Sequence, residues 1–247
     1  MGCCQVKNDA NDTMDKSSIK PDPIPFAIMR NGHEVIRGLM IELDEAAQAN
    51  NETKFAELWK VFIIWMNHHA AMEDGKGRVK GFFAVLNENF NNIAVSEGLE
   101  AHHSQLNNAT RIMEGYFYEK DYRSLISNWS NYRKLNEKHL IAEEEIMMPK
   151  VQEMHKLGFP IKKNLAEDIV SAAWDEVNFG SEFVQVACWV LEKHHGGMPR
   201  ARVFIHALKS ITDEQRWAKW LPYVKAGLSP EQYFLIDSQI ELSSAGN

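Results

Sequence analysis

The sequence predicts an all-α protein, and three observations carry that prediction. Apolar residues recur every three to four positions over long stretches, which puts them on one face of a helix. The two-residue alternation of a half-buried strand is absent almost everywhere. The breaks between the stretches hold the Gly, Pro and Asn residues that stop helices and turn the chain.

Residues 1 to about 22 are polar and rich in Asn, Asp, Lys and Ser, and they run into Pro21-Asp-Pro23-Ile-Pro25. Such a segment reads as a flexible tail, residues 1–24, joined to the fold by a stiff Pro-rich stretch. From Phe26 the pattern turns helical, with Ile28, Val35, Leu39, Ile41 and Leu43 on one stripe and an end near Asn50-Asn51. A second helix, roughly Glu52 to Asp74, carries Phe55, Leu58, Phe62, Trp65 and His69 at helical spacing. Gly75-Lys-Gly77 breaks it, and a short amphipathic piece around Phe82, Phe83, Val85 and Leu86 follows. A third long helix is expected from about Ser96 to Glu119, with Leu99, His103, Leu106, Thr110 and Met113 along one face. Asp121 opens a fourth that continues to about His155, and Gly158-Phe-Pro160 ends the block. Residues 25–157 therefore read as one helical bundle, and 158–247 as a helical extension packed on it. Within the extension, helices are expected at about Asn164 to His195, Pro199 to Ile211, Asp213 to Ala226 and Pro230 to Leu242. Gly196-Gly197 stops the first of these, and Ser229-Pro230 caps the last.

The 247 residues are 45% hydrophobic, ample for a core. A net charge of -7 argues against a nucleic-acid surface, which is normally basic. Apolar runs such as Val61 to Met66 are far short of the roughly 20 residues that cross a bilayer. Three cysteines, two of them adjacent, make no disulfide framework and point to a reducing, intracellular compartment. The start Met1-Gly2-Cys3-Cys4 offers Gly2 for myristoylation and both cysteines for palmitoylation, which together would anchor the chain to a membrane. Val6 stands where Ser or Thr is usual for that signal, and the alternative is an unmodified leader. Gly-rich phosphate loops, Ser-His-Asp arrangements and zinc-type Cys spacings do not occur.

The chemistry lies in two phrases, His69-Ala-Ala-Met-Glu73-Asp74 and His139-Leu-Ile-Ala-Glu143-Glu144. Each is His-x-x-x-Glu followed by a second acid. Residues i and i+4 share a helix face, so imidazole and carboxylate converge on one point. Two such helices facing each other, joined by lone histidines from two more, would build a nitrogen-and-oxygen cage for metal in a bundle core. His33 lies on the first helix, and His102 or His103 on the third. Adjacent helical residues point about 100° apart, so only one of that pair can face the core. His103 is preferred because Leu99 and Leu106 share its face, with His102 as the fallback. By the same reasoning His68 points away from His69. Glu73 and Glu143 follow their histidines on otherwise apolar stripes, where a carboxylate without a partner is costly. Asp74, Glu144 and Glu145 read as exposed, or as orienting the imidazoles. Met113, Met147 and Met148 read as core filling, and Cys188 as a buried thiol. His155, His194, His195 and His206 read as surface residues, and the Trp174, Trp189, Trp217 and Trp220 set as the packing face of the extension.

In this order the four elements resemble the hemerythrin-like (HHE cation-binding) family, over about residues 26 to 156. His33-Glu-Val-Ile-Arg37 is similar to the first motif, His69 to Asp74 to the second, His103-Ser-Gln-Leu106 to the third, and His139 to Pro149 to the last. The resemblance implies an up-down four-helix bundle around two non-haem irons joined by an oxo or hydroxo bridge. It implies metal ligation by His33, His69, Glu73, His103, His139 and Glu143, with the glutamates bridging and the histidines terminal. Three departures stand out. Gly75 to Gly81 interrupts the family pattern, the third motif offers two histidines, and Asn107 stands where the oxygen-carrying hemerythrins place a fifth histidine.

The resemblance thus implies a protein that binds or senses O2, NO, peroxide or iron, in preference to an enzyme. The alternative is a di-iron enzyme acting on peroxide or ferrous iron, for which Tyr116 and Tyr132 are the candidate proton-handling groups. A metal-free scaffold would leave both His-x-x-x-Glu phrases without a purpose. Ferritin-like carboxylate enzymes use Glu-x-x-His instead, and six candidate ligands exceed the usual four of structural zinc.

Overall fold

The computed structural model describes residues 24–76, 79–89, 92, 94, 98–150, 153, 205–206, 209, 213–226, 228–230 and 233. These are mostly helical. Four long helices dominate: α1 (Ile24–Gln48), α2 (Glu52–Asp74), α4 (Leu99–Tyr118) and α5 (Tyr122–Ala142). A short helix α3 (Phe82–Asn89) precedes α4, and α6 (Glu214–Ala226) follows in the C-terminal part. The bounds of α2 coincide with those read from the sequence.

Local chemistry sets the helix ends. The Asn51 side chain accepts a hydrogen bond from the Lys54 amide at the start of α2, and Asp121 does the same for Ser124 at the start of α5. At the end of α2, Gly75 takes a φ of 82°, a left-handed conformation that side chains resist, and its N–H bonds back to Ala71. The expected break after Asp74 takes a definite form: strands β1 (Gly75–Lys76) and β2 (Val79–Lys80) pair antiparallel, Gly75 opposite Lys80 and Lys76 opposite Val79. Gly81 lies so close to the backbone of Glu73, Asp74 and Gly75 that a methyl group at that position would overlap it. The third helix begins at Leu99 rather than near Ser96, because Gly98 at its N-cap is left-handed.

The helices bury one stripe each. Along α5 the stripe is Leu125, Trp129, Tyr132, Asn136, His139 and Glu143, an alternation of four and three that keeps one face inward. Along α2 it is Phe55, Leu58, Trp59, Phe62, Trp65, Met66, His69 and Glu73. α1 contributes Val35, Ile36, Leu39, Met40 and Leu43, and α4 contributes Met113. Phe55, Trp59, Phe62, Trp129 and Tyr132 meet edge-on or tilted, with ring centroids 5.4–6.4 Å apart. Trp129 donates its Nε1–H to Asp44 at 2.7 Å, and Arg133 holds the other oxygen of that carboxylate at 2.9 Å. From the C-terminal part, Ile205, Trp220 and Val224 join this core, with Trp217 packed against it. A second apolar cluster of Phe82, Phe83, Leu86, Leu99, Met147 and Met148 joins α3 to α4 and the end of α5. Met113, Met147 and Met148 are core filling, as expected.

The fourth helix does not run uninterrupted. Residues Glu143–Met147 form a π turn, in which the chain carries one extra residue per turn before the helix resumes. Among the described residues no helix is long and apolar enough to cross a membrane. Cys188, Trp174, Trp189, His155, His194, His195 and the proposed acylation site lie outside the described residues.

Candidate metal centre

His33 sits in the first half of α1 and His103 in the second turn of α4, whereas His69 and Glu73 sit near the end of α2, His139 in the last turn of α5 and Glu143 at the start of the π turn. The structure brings all six together in the core, where none is more than 6% exposed. The histidines form two pairs. The rings of His33 and His69 are 5.1 Å apart, centroid to centroid, and those of His103 and His139 are 4.5 Å apart.

The two carboxylates lie between the pairs, and each gives one oxygen to either side. Glu143 sets Oε2 3.1 Å from His33 Nε2 and 3.8 Å from His69 Nε2, while its Oε1 lies 3.4 Å from His139 Nε2. Glu73 sets Oε1 3.3 Å from His69 Nε2, and Oε2 3.1 Å from His103 Nε2 and 3.7 Å from His139 Nε2. Two four-residue groups result, His33, His69, Glu73, Glu143 and Glu73, His103, His139, Glu143. Within each group one donor atom per residue lies within 4.8 Å of the others.

The four carboxylate oxygens are buried and accept no hydrogen bond, and His33 Nε2 and His69 Nε2 are likewise without one. Buried polar atoms normally find partners, so six such atoms aimed at one another mark a place built for something else. No family model, no curated protein and no solved structure matches this chain.

Behind the cluster, the acid that follows each glutamate holds a histidine from the rear. Asp74 Oδ1 lies 2.7 Å from His103 Nδ1, and Glu144 Oε1 lies 2.9 Å from His33 Nδ1. Arg37 in turn grips Glu144 through two bonds of 2.7 and 2.9 Å, and reaches Glu137 at 3.0 Å. Such partners fix the tautomer and leave Nε2 facing the centre. Of the three acids read as exposed or orienting, Asp74 and Glu144 orient, and Glu145 is exposed.

The electrostatics follow from this layout. Burial works to lower the His33 imidazole, but the Glu143 and Glu144 carboxylates outweigh it and raise the ring to about 9. His103 is opposed by burial in the same way, and Asp74 and Glu73 carry it up to about 10. Burial lowers His139 to about 4, with Glu143 opposing and the imidazoles of His103 and His33 reinforcing. His69 goes well below its ordinary value, first by burial and then by three neighbouring imidazoles. Burial and then the charge of Glu73 raise Glu143. Glu144 would be raised by burial, yet its bonds to His33 and Arg37 hold it at about 2. His33 and His103 are therefore the rings that hold a proton when no cation is present, and His103 Nε2 lies 2.9 Å from His139 Nε2.

His102 is half-buried and belongs to neither group, as the facing argument expects, and its Nδ1 lacks a partner. His68 is buried, at 5% exposure, yet also outside both groups. Tyr132 uses its hydroxyl on Thr110, 2.7 Å away, and burial pushes it up to about 12. Tyr132 is part of the aromatic core, and Tyr116 packs against it. Sequence reasoning missed the clamp on Glu144 by Arg37, although Arg37 one turn after His33 was its one visible sign.

Proposed function

We propose that this chain is a hemerythrin-like protein, with its four long helices as an up-down bundle holding two non-haem irons. It binds or senses a small ligand such as O2, NO or peroxide, or reports iron itself. One observation carries the reading. Glu73 and Glu143 each turn one oxygen to one histidine pair and one to the other, all four oxygens being buried without hydrogen bonds. A carboxylate divided in this way suits a bridge between two cations, and two imidazoles on each side suit a borderline metal such as iron.

In the proposal, His33 and His69 would hold one ion and His103 and His139 the other, with Glu73 and Glu143 spanning both. Bound iron would supply reversible redox and ligand-binding chemistry. The chain's own part is to present neutral Nε2 atoms, exclude water and hold charge. The rear carboxylates of Asp74 and Glu144 keep the Nδ1 protons of His103 and His33 away from the centre. Asn107, one turn after His103, lines a cleft at that ligand and leaves the second pair with two histidines only. That supports a coordination position left for a small ligand.

The test is metal analysis of chain purified without added metal, with absorption spectra before and after reduction and air exposure. About two irons per chain and a band that bleaches and returns support binding. Steady turnover of peroxide or ferrous iron would replace this reading with the enzyme one, and a chain that takes up no metal would end both.

A further inference from the structure

The two halves of the cluster are built differently at the rear. On the His33 side, Glu144 is only 24% exposed, and both of its oxygens are pinned by Arg37. His33 and Glu143 are fully buried there. On the His103 side, Asp74 is 42% exposed and sits at the last position of α2, next to the left-handed Gly75. It lines a cleft of about 530 Å³ together with Asn87, Glu100, His103, Ser104 and Asn107. Of the six cluster residues, His103 alone forms part of that wall, and it is the most exposed of them at 6%. Phe83 supports its ring at 4.8 Å between centroids.

We propose that the two cation positions exchange unequally: the one at His103 and His139 fills and empties through this cleft, while the one at His33 and His69 is retained. The inference rests on the dinuclear reading above and adds an order to it. A ferrous ion, or another divalent cation, approaches past the carboxylates of Glu100 and Asp74, which concentrate positive charge at the mouth. Oxygens of Ser104 and Asn107 can replace shed water on the way in. The step inward requires His103 to leave its bond with Asp74, a single contact at the end of a helix, and turn toward the cleft. His33 has no comparable freedom, because it is fully buried, lines no part of the cleft, and bonds to an acceptor, Glu144, that two guanidinium bonds hold in place.

The experiment loads the full chain with two equivalents of Co(II), which reports coordination by its colour, and then adds excess chelator while release is followed by stopped flow. The expected result is two phases of one ion each. Asp74→Asn should speed the fast phase about 10-fold or more and leave the slow phase unchanged. Arg37→Gln should speed the slow phase, and Glu100→Gln should slow uptake of the second ion without altering the final stoichiometry. Melting of each variant checks that it folds. Release of both ions in one phase from the unaltered chain would overturn the inference while leaving the dinuclear reading intact, as would Asp74→Asn acting on the slow phase. A chain that binds fewer than two ions at saturation would instead overturn the dinuclear reading.

Discussion

Glu73 on α2 and Glu143 on the π turn after α5 each straddle both histidine pairs, with all four of their oxygens buried and unbonded. Desolvating two carboxylates costs several kcal/mol each unless positive charge meets them. The fold tolerates this because His33 and His103 hold protons between the acids when no cation does. Removing a straddling carboxylate should therefore differ from removing one imidazole. Glu143→Ala is expected to abolish binding of both ions, whereas His33→Ala should leave one ion per chain. Titration with Co(II) counts the sites, and equal losses from the two variants would contradict the bridging arrangement.

Proton release follows from the same geometry. His33, raised to about 9, and His103, raised to about 10, are both protonated near neutral pH, and a cation needs both Nε2 atoms free. Loading two ions should expel about two protons, and affinity should climb as pH rises toward those values, then level off. Calorimetry in buffers of different ionisation enthalpy measures the number. No release near pH 7 would show that the two rings enter the metal-free cluster neutral.

Metal should also be a large part of stability. A ligand at about 100 times its Kd adds about 2.7 kcal/mol. At roughly 2–4 °C per kcal/mol for a chain of this size, each occupied site should raise Tm by about 5–10 °C. Chelation followed by a thermal melt checks this, and an unchanged Tm would mean that the cluster is satisfied without a cation.

The helices and the six clustered residues were legible because helical spacing, read one residue at a time, decides which side chains face inward. The His-x-x-x-Glu spacing placed both acids on their histidines' faces without knowledge of the packing. What stayed hidden depends on distance along the chain or on backbone register. Glu144 reaches His33 across 111 positions, a pairing that local pattern does not encode. The π turn at Glu143–Met147 also has no composition of its own, since Glu, Ile and Met are ordinary helix residues. The pairing of β1 with β2 was visible only as a break, because its cause is the close approach of Gly81 to the end of α2.

Two adjacent histidines near the end of α2 make a sharp pair of variants. His68 and His69 are both buried, at 5% and 3% exposure, so loss of either should cost stability. Only His69 belongs to a candidate group, with Nε2 3.3 Å from Glu73. His69→Ala should lose metal, whereas His68→Ala should keep two ions per chain on a less stable fold. Metal content measured beside the melting curve separates the effects, and loss of metal from His68→Ala alone would refute the assignment.

Gly81 gives a test of how the end of α2 holds the site. A methyl group there would overlap the backbone of Glu73, Asp74 and Gly75, and these atoms cannot rotate away as a flexible side chain could. Gly81→Ala must therefore push the last turn of α2 outward, carrying Glu73 off the histidines and Asp74 off His103. Gly115, in the last turn of α4, has nothing within 4 Å of the same added atom. Gly115→Ala should stabilise the chain by less than the roughly 0.5–1 kcal/mol of a mid-helix site, with metal content unchanged. Gly81→Ala should lower both Tm and metal affinity, with the loss greatest for the ion at His103 and His139. Equal behaviour of the two variants in melts and Co(II) titrations would mean that the hairpin plays no part in holding the cluster.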